Sequence, residues 1–175
     1  MDNFEKAIGY VLMNEGGLVD DPDDPGGITN FGITLRTLSD YFSSGHNPQR
    51  AATPDDIKNL TLEQAKTIYR ECWWEKMRLD EINHVGVATA ILDIGVNSGP
   101  SRAIKTAQQA AGVRVDGVMG PKTIDAINST TPGDFVDHCA SLMRDFYREL
   151  ADMRPSSKKF LAGWLARANR IETLA

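Results

Sequence analysis

Apolar positions along this chain recur mostly three and four residues apart, the period of helices that bury one face. Phe4, Ala7, Ile8, Val11 and Leu12 form such a stripe behind Asp2 and Glu5, which have capping-box spacing, so a helix is expected over 3–15. Thr34 opens another through Phe42, Thr53-Pro54 a short one with proline at its first position, and Thr61 with Gln64 a fourth through Lys76. In that fourth helix Ile68, Tyr69, Cys72 and Trp73 fall on one side. Residues 83–98 are apolar nearly all round, which marks a central, buried helix. Its polar exceptions, Asp93 and Asn97, are four apart on one face; they either tie down a loop or line a cleft. Further helices are expected over 101–111, stopped by Gly112, after Pro121, after Pro132 as a long amphipathic run broken by Pro155, and finally along Phe160 to Ile171. The predicted fold is mostly α.

The stretch 14–34 interrupts this rhythm. It holds five of the fifteen glycines, two of the eight prolines and five acidic residues, so it cannot present a continuous apolar face. Leu18-Val19 and residues 28–33 are β-prone, and a small hairpin or three-stranded flap is expected there. Gly16-Gly17 is expected to stop the first helix. Glu15 follows Leu12 by three and Val11 by four, which extends the apolar stripe and sets a carboxylate on the buried face of the last turn. It either snorkels to solvent or is held there for chemistry. Asp20, Asp21, Asp23 and Asp24 each suit a turn; the ligand alternation and closing glutamate of an EF-hand are absent.

Composition narrows the chemistry. The 175 residues suit one globular unit of two lobes, 1–80 and 81–175. Net charge is −5, uneven between lobes: residues 1–80 carry 8 Lys and Arg against 14 Asp and Glu, residues 81–175 carry 11 against 10. This excludes a general nucleic-acid binder. The positive charge of the last helices marks a solvated face or an affinity for anionic polymers. No apolar run reaches the ~20 residues of a membrane span, and the N-terminus lacks a secretory pattern, so synthesis in the cytoplasm is expected. Cys72 and Cys139 are expected to be reduced and buried, and Trp73-Trp74 to be core or a sugar-stacking pair. His46, His84 and His138 are scattered without metal-ligand spacing, and no phosphate loop or dinucleotide fingerprint occurs, so no metal or organic cofactor is expected. Carboxylate chemistry is left, and a protonated acid with an ionised partner is what glycosidic cleavage requires.

The run Glu15-Gly16-Gly17-Leu18-Val19-Asp20-Asp21-Pro22-Asp23-Asp24-Pro25-Gly26-Gly27-Ile28-Thr29-Asn30-Phe31-Gly32-Ile33-Thr34 resembles the signature of glycoside hydrolase family 108, peptidoglycan-cleaving muramidases that include many phage endolysins. Residues 93–100 and 115–123 resemble the predicted peptidoglycan domain that usually accompanies it. The resemblance implies a lysozyme-like helical fold with a β flap after the first helix, and hydrolysis of the β-1,4 bond between N-acetylmuramic acid and N-acetylglucosamine. Phage-type lysozymes are similar in site spacing: eight residues separate Glu15 from Asp24 and four separate Asp24 from Thr29. Carried over, Glu15 is the general acid, Asp24 orients water or stabilises the transition state, and Thr29 helps hold that water. Asp20, Asp21 and Asp23 compete with Asp24. Leu18 stands where the family has tyrosine, and Phe31 is a candidate to replace that surface; Asp93 and Asn97 complete the expected substrate contacts. The implied partner is bacterial peptidoglycan, reached by a monomer through a holin or comparable membrane lesion. A wall-remodelling role in protein secretion and a non-catalytic wall-binding module are the alternatives.

Overall fold

In a computed structural model, residues 2–19, 27–46, 48 and 50–175 are described. Asp20, Asp21, Asp23 and Asp24 lie outside the described residues. The chain divides into a first unit through Glu75 and a second from Lys76. Both are helical, and a two-stranded antiparallel hairpin in the first is the only sheet among the described residues.

In the first unit, α1 (Asn3–Asn14) starts where the Asp2 carboxylate accepts the Glu5 backbone N–H. Its buried stripe is Phe4, Ala7, Ile8 and Val11. The hairpin pairs β1 (Thr29–Asn30) with β2 (Ile33–Thr34), and α2 (Leu35–Ser43) follows under a Thr34 cap. Complete capping boxes open α3 (Pro54–Lys58) and α4 (Leu62–Tyr69), the second as its spacing predicts. Asn30 fixes the hairpin to α3: its buried side-chain amide donates to the carbonyls of Ile57 and Leu60, at 3.0 and 3.5 Å. Lys66 joins α4 to Glu5 of α1 at 3.1 Å.

The expected helix through Lys76 is corrected by a π-helical turn over Arg70–Trp74, closed by the Glu75 N–H on the Arg70 carbonyl. The wide turn changes the phase of the helix face. Trp74 enters the core with its ring edge on Phe4, at 5.5 Å between centroids, while Trp73 stays half-buried beside Tyr69. For the same reason Cys72 is half-exposed, against the expectation that both cysteines are buried. Cys139 is buried, and desolvation pushes its thiol far up, away from nucleophile chemistry.

The second unit is built on α5 (Val85–Ser98), buried without interruption from Gly86 to Gly95. Around it lie α6 (Pro100–Ala110), α7 (Pro121–Ser129), the long α8 (Pro132–Met153) and α9 (Leu161–Ile171). The loop of residues 111–120 hangs on one buried side chain. Gln108 donates to Asp116, Val118 and Thr123 and accepts the Gly117 N–H at 2.8 Å, which accounts for the Val115–Thr123 motif as architecture. The same Gln108 bond is the leading cause that holds the Asp116 carboxyl below its ordinary range.

The final turn, Glu172–Leu174, packs backbone to backbone on α5, because a Cβ at Gly86 would stand on the Leu174 carbonyl oxygen. Gly86→Ala is expected to destabilise the chain by about 3 kcal/mol through overpacking against an unyielding backbone. An unchanged urea midpoint would show that the turn does not rest on α5.

Candidate active site

Glu15 is not part of α1. It is the residue that ends the helix: its N–H still reaches the Val11 carbonyl at 3.1 Å, but its own backbone is extended, with φ −90° and ψ 138°. The expected helix over 3–15 is therefore one residue too long, and the direction of the Glu15 side chain is set by the chain leaving the helix rather than by the apolar stripe. Nor does the double glycine stop the helix through a left-handed cap, since neither Gly16 nor Gly17 has positive φ. The segment after them is fixed by the flap. Val19 and Thr29 exchange both backbone hydrogen bonds, at 2.8 and 2.9 Å, and Thr29 pairs with Thr34 across the hairpin. Thr29 thus sits at the centre of three short extended pieces, half-exposed.

The hairpin reverses in two residues, Phe31 and Gly32, both left-handed at φ 50° and 75°. That geometry matches the twist of paired strands, but in Phe31 it strains a residue bearing Cβ, by about 1 kcal/mol. Tyr69, from α4, offsets this by donating its hydroxyl to the Phe31 carbonyl at 2.9 Å. The turn then lies against Glu15. A Cβ built on Gly32 would stand 2.6 Å from the Tyr69 hydroxyl and 2.9 Å from both Cγ and Oε2 of Glu15. Three segments distant in sequence meet there: the end of α1, the hairpin turn and the last residue of α4. The result is a half-buried carboxylate against the bare backbone of Gly32, beside a phenol.

Sequence reasoning singles out Glu15, Thr29 and Phe31 in this region but misses Gly32 and Tyr69. The Phe-Gly dipeptide between two β-prone pieces is the signal for the turn. Tyr69, on an apolar helix face, carries no signal of its own. Asp24 lies outside the described residues. Asp93 and Asn97 lie in the second unit. Asp93 is buried and gripped by the Arg167 fork, Nε to Oδ2 at 3.0 Å and Nη2 to Oδ1 at 2.9 Å. Asn97, exposed at the end of α5, donates to the Tyr147 hydroxyl at 2.5 Å and accepts from Arg167 at 3.4 Å. Of the two roles open to this pair, these bonds are those of a tie between helices.

A carboxyl group held this way can give a proton to an oxygen placed above it, provided a second negative group stabilises the cation that develops. Among the described residues, no three His, Cys, Asp or Glu side chains gather into a metal-binding group.

Two family models divide the sequence: Glycosyl hydrolase 108 matches residues 8–99, and Predicted Peptidoglycan domain matches residues 102–169. Among solved structures, that of Brucella abortus SagA superposes with a TM-score of 0.83 at 36% identity, over 97% of this chain and 91% of that one. No curated protein matches. With more than half its length on the first model and a full-length structural relative, the chain belongs to the glycosyl hydrolase 108 family and is a glycoside hydrolase acting on peptidoglycan.

Proposed function

We propose that this peptidoglycan hydrolase is an N-acetylmuramidase that cuts the β-1,4 bond between N-acetylmuramic acid and N-acetylglucosamine, with Glu15 as general acid. The observation that carries the reading is the convergence of the Glu15 carboxylate, the bare Gly32 turn and the Tyr69 hydroxyl. Glu15 protonates the leaving glycosidic oxygen as the bond to the anomeric carbon lengthens. Asp24, nine positions on, balances the oxocarbenium charge or orients the attacking water, with Thr29 helping to hold that water. Phe31 offers an apolar wall to a sugar ring.

Digestion of purified peptidoglycan, with identification of the sugar at each new reducing end, tests the bond. N-acetylmuramic acid is the expected sugar; N-acetylglucosamine there would make the enzyme a glucosaminidase and overturn the proposal.

Gly32→Ala tests the site geometry. The new methyl group needs space already held by Glu15 and Tyr69, in a backbone conformation that alanine disfavours by about 1 kcal/mol. Displacing the acid by an ångström is worth about a hundredfold in rate, so kcat is expected to fall by that much while the chain still folds. Wild-type kcat would show that the carboxylate does not work from this position.

A further inference from the structure

Glu15 meets the hairpin at Gly32, so the place of its carboxyl depends on where the Phe31–Gly32 turn is held. A turn that puts Phe31 at φ 50° does not hold itself, because a residue with a Cβ disfavours that conformation. Two side-chain hydrogen bonds secure it. The Asn30 amide reaches from β1 to the carbonyls of Ile57 and Leu60, and the Tyr69 hydroxyl reaches from α4 to the Phe31 carbonyl, within the turn itself. We propose that Tyr69 is a positioning residue for the reaction: its hydroxyl holds the turn, and through Gly32 the turn holds the Glu15 carboxyl where it delivers its proton. The inference rests on Glu15 being the general acid.

Tyr69 is placed as a fixed post. It is 0% exposed, its ring lies 5.2 Å from that of Trp73, and it closes the regular part of α4. The π-helical turn begins at the next residue, so the change of phase that carries Trp74 to Phe4 takes place beyond it. Tyr69 therefore keeps the regular helix face that meets the hairpin. A phenylalanine ring would fill the same core; the hydroxyl is what tyrosine adds. That hydroxyl is committed to a carbonyl 38 residues away, in a turn, and not to its own helix.

The link from turn to acid is direct contact. The point where a Cβ of Gly32 would stand is 2.6 Å from the Tyr69 hydroxyl and 2.9 Å from Oε2 of Glu15. Packed groups pass a displacement on instead of absorbing it, so a turn released from Tyr69 releases the carboxyl with it. A proton donor is sensitive to such movement: an ångström of misplacement is worth about a hundredfold in rate, and a turn loosened but still held by Asn30 about tenfold.

The test compares two phenols of the first unit in the full chain. Tyr69→Phe removes the bond to the turn; Tyr41→Phe removes a bond of the same length, 2.9 Å, from Tyr41 to the Glu71 carboxylate, away from the turn. Rates are read as reducing ends released from solubilised glycan strands, and each variant is melted as a folding control. Tyr69→Phe is expected to lower kcat about tenfold and leave KM unchanged, because the buried phenol acts through the acid alone. Tyr41→Phe is expected to keep kcat while losing a comparable part of its melting temperature. Wild-type kcat in Tyr69→Phe, or an equal fall of kcat in both variants, would reduce Tyr69 to a support of the fold and overturn the inference. So would a raised KM at unchanged kcat, or melting of Tyr69→Phe below the assay temperature. Glu15→Gln is assayed beside them. Activity surviving there refutes the acid itself, whereas an inactive Glu15→Gln with a fully active Tyr69→Phe refutes only the role of Tyr69.

Discussion

Glu15→Gln is expected to lower the rate of peptidoglycan cleavage by about a thousandfold while leaving the fold intact. The substitution keeps the shape of the side chain and removes only its capacity to deliver a proton. The backbone bond of Glu15 to Val11 and the Val19–Thr29 pairing do not involve the carboxyl group and stay in place. The measurement is the release of reducing ends from purified sacculi, with the far-ultraviolet circular dichroism spectrum and melting temperature as folding controls. Retention of more than a few per cent of the wild-type rate would remove Glu15 from the role of acid. A full loss of rate accompanied by a collapsed melting temperature would point to a structural glutamate instead.

Arg167→Met is expected to have the largest effect on stability. Asp93 is 1% exposed, and the guanidinium that grips both its oxygens is what makes an ionised carboxylate tolerable there. Removing one member of such a pair costs about 3–5 kcal/mol, because the other is left charged in a medium that cannot solvate it. The double variant Asp93→Leu/Arg167→Met should regain most of that loss, since no charge is then stranded. Urea unfolding of the wild type, both single variants and the double variant closes the cycle. Additive losses across it would mean that the two side chains do not depend on each other.

Local rules made much of the architecture legible. Thr61 caps its helix as its spacing predicts, Pro54 stands at the first position of α3, Pro132 opens α8 and Pro155 follows its end, and the unbroken apolar run of α5 is buried through ten consecutive residues. The failures share a cause. The π-helical turn that exposes part of Cys72 comes from packing around Trp74 and has no sequence period of its own. The position of Glu15 was legible and its orientation was not, because the orientation depends on a turn seventeen residues later and on a tyrosine fifty-four residues later. Pairs so distant in sequence are chosen by the tertiary fold, and neither periodicity nor capping encodes them. Asp93 and Asn97 were legible as buried polar exceptions, yet their partners, Arg167 and Tyr147, come from helices whose charged and aromatic residues read as ordinary faces.

The two backbone bonds between Val19 and Thr29 carry a consequence for how such enzymes diverge. They hold Val19 to Thr29 whatever the sequence between them. Doubling the length of a closed loop costs only about 0.6 kcal/mol in chain entropy. Insertions and deletions between those two residues are therefore cheap, and none of them moves the helix end that bears the acid. On the proposed reading the second carboxylate belongs to that loop, and the gap between the two carboxylates decides whether a glycosidase retains or inverts the anomeric configuration. Stereochemistry in this scaffold is thus tied to loop length, and it can change in evolution while the proton donor stays where it is.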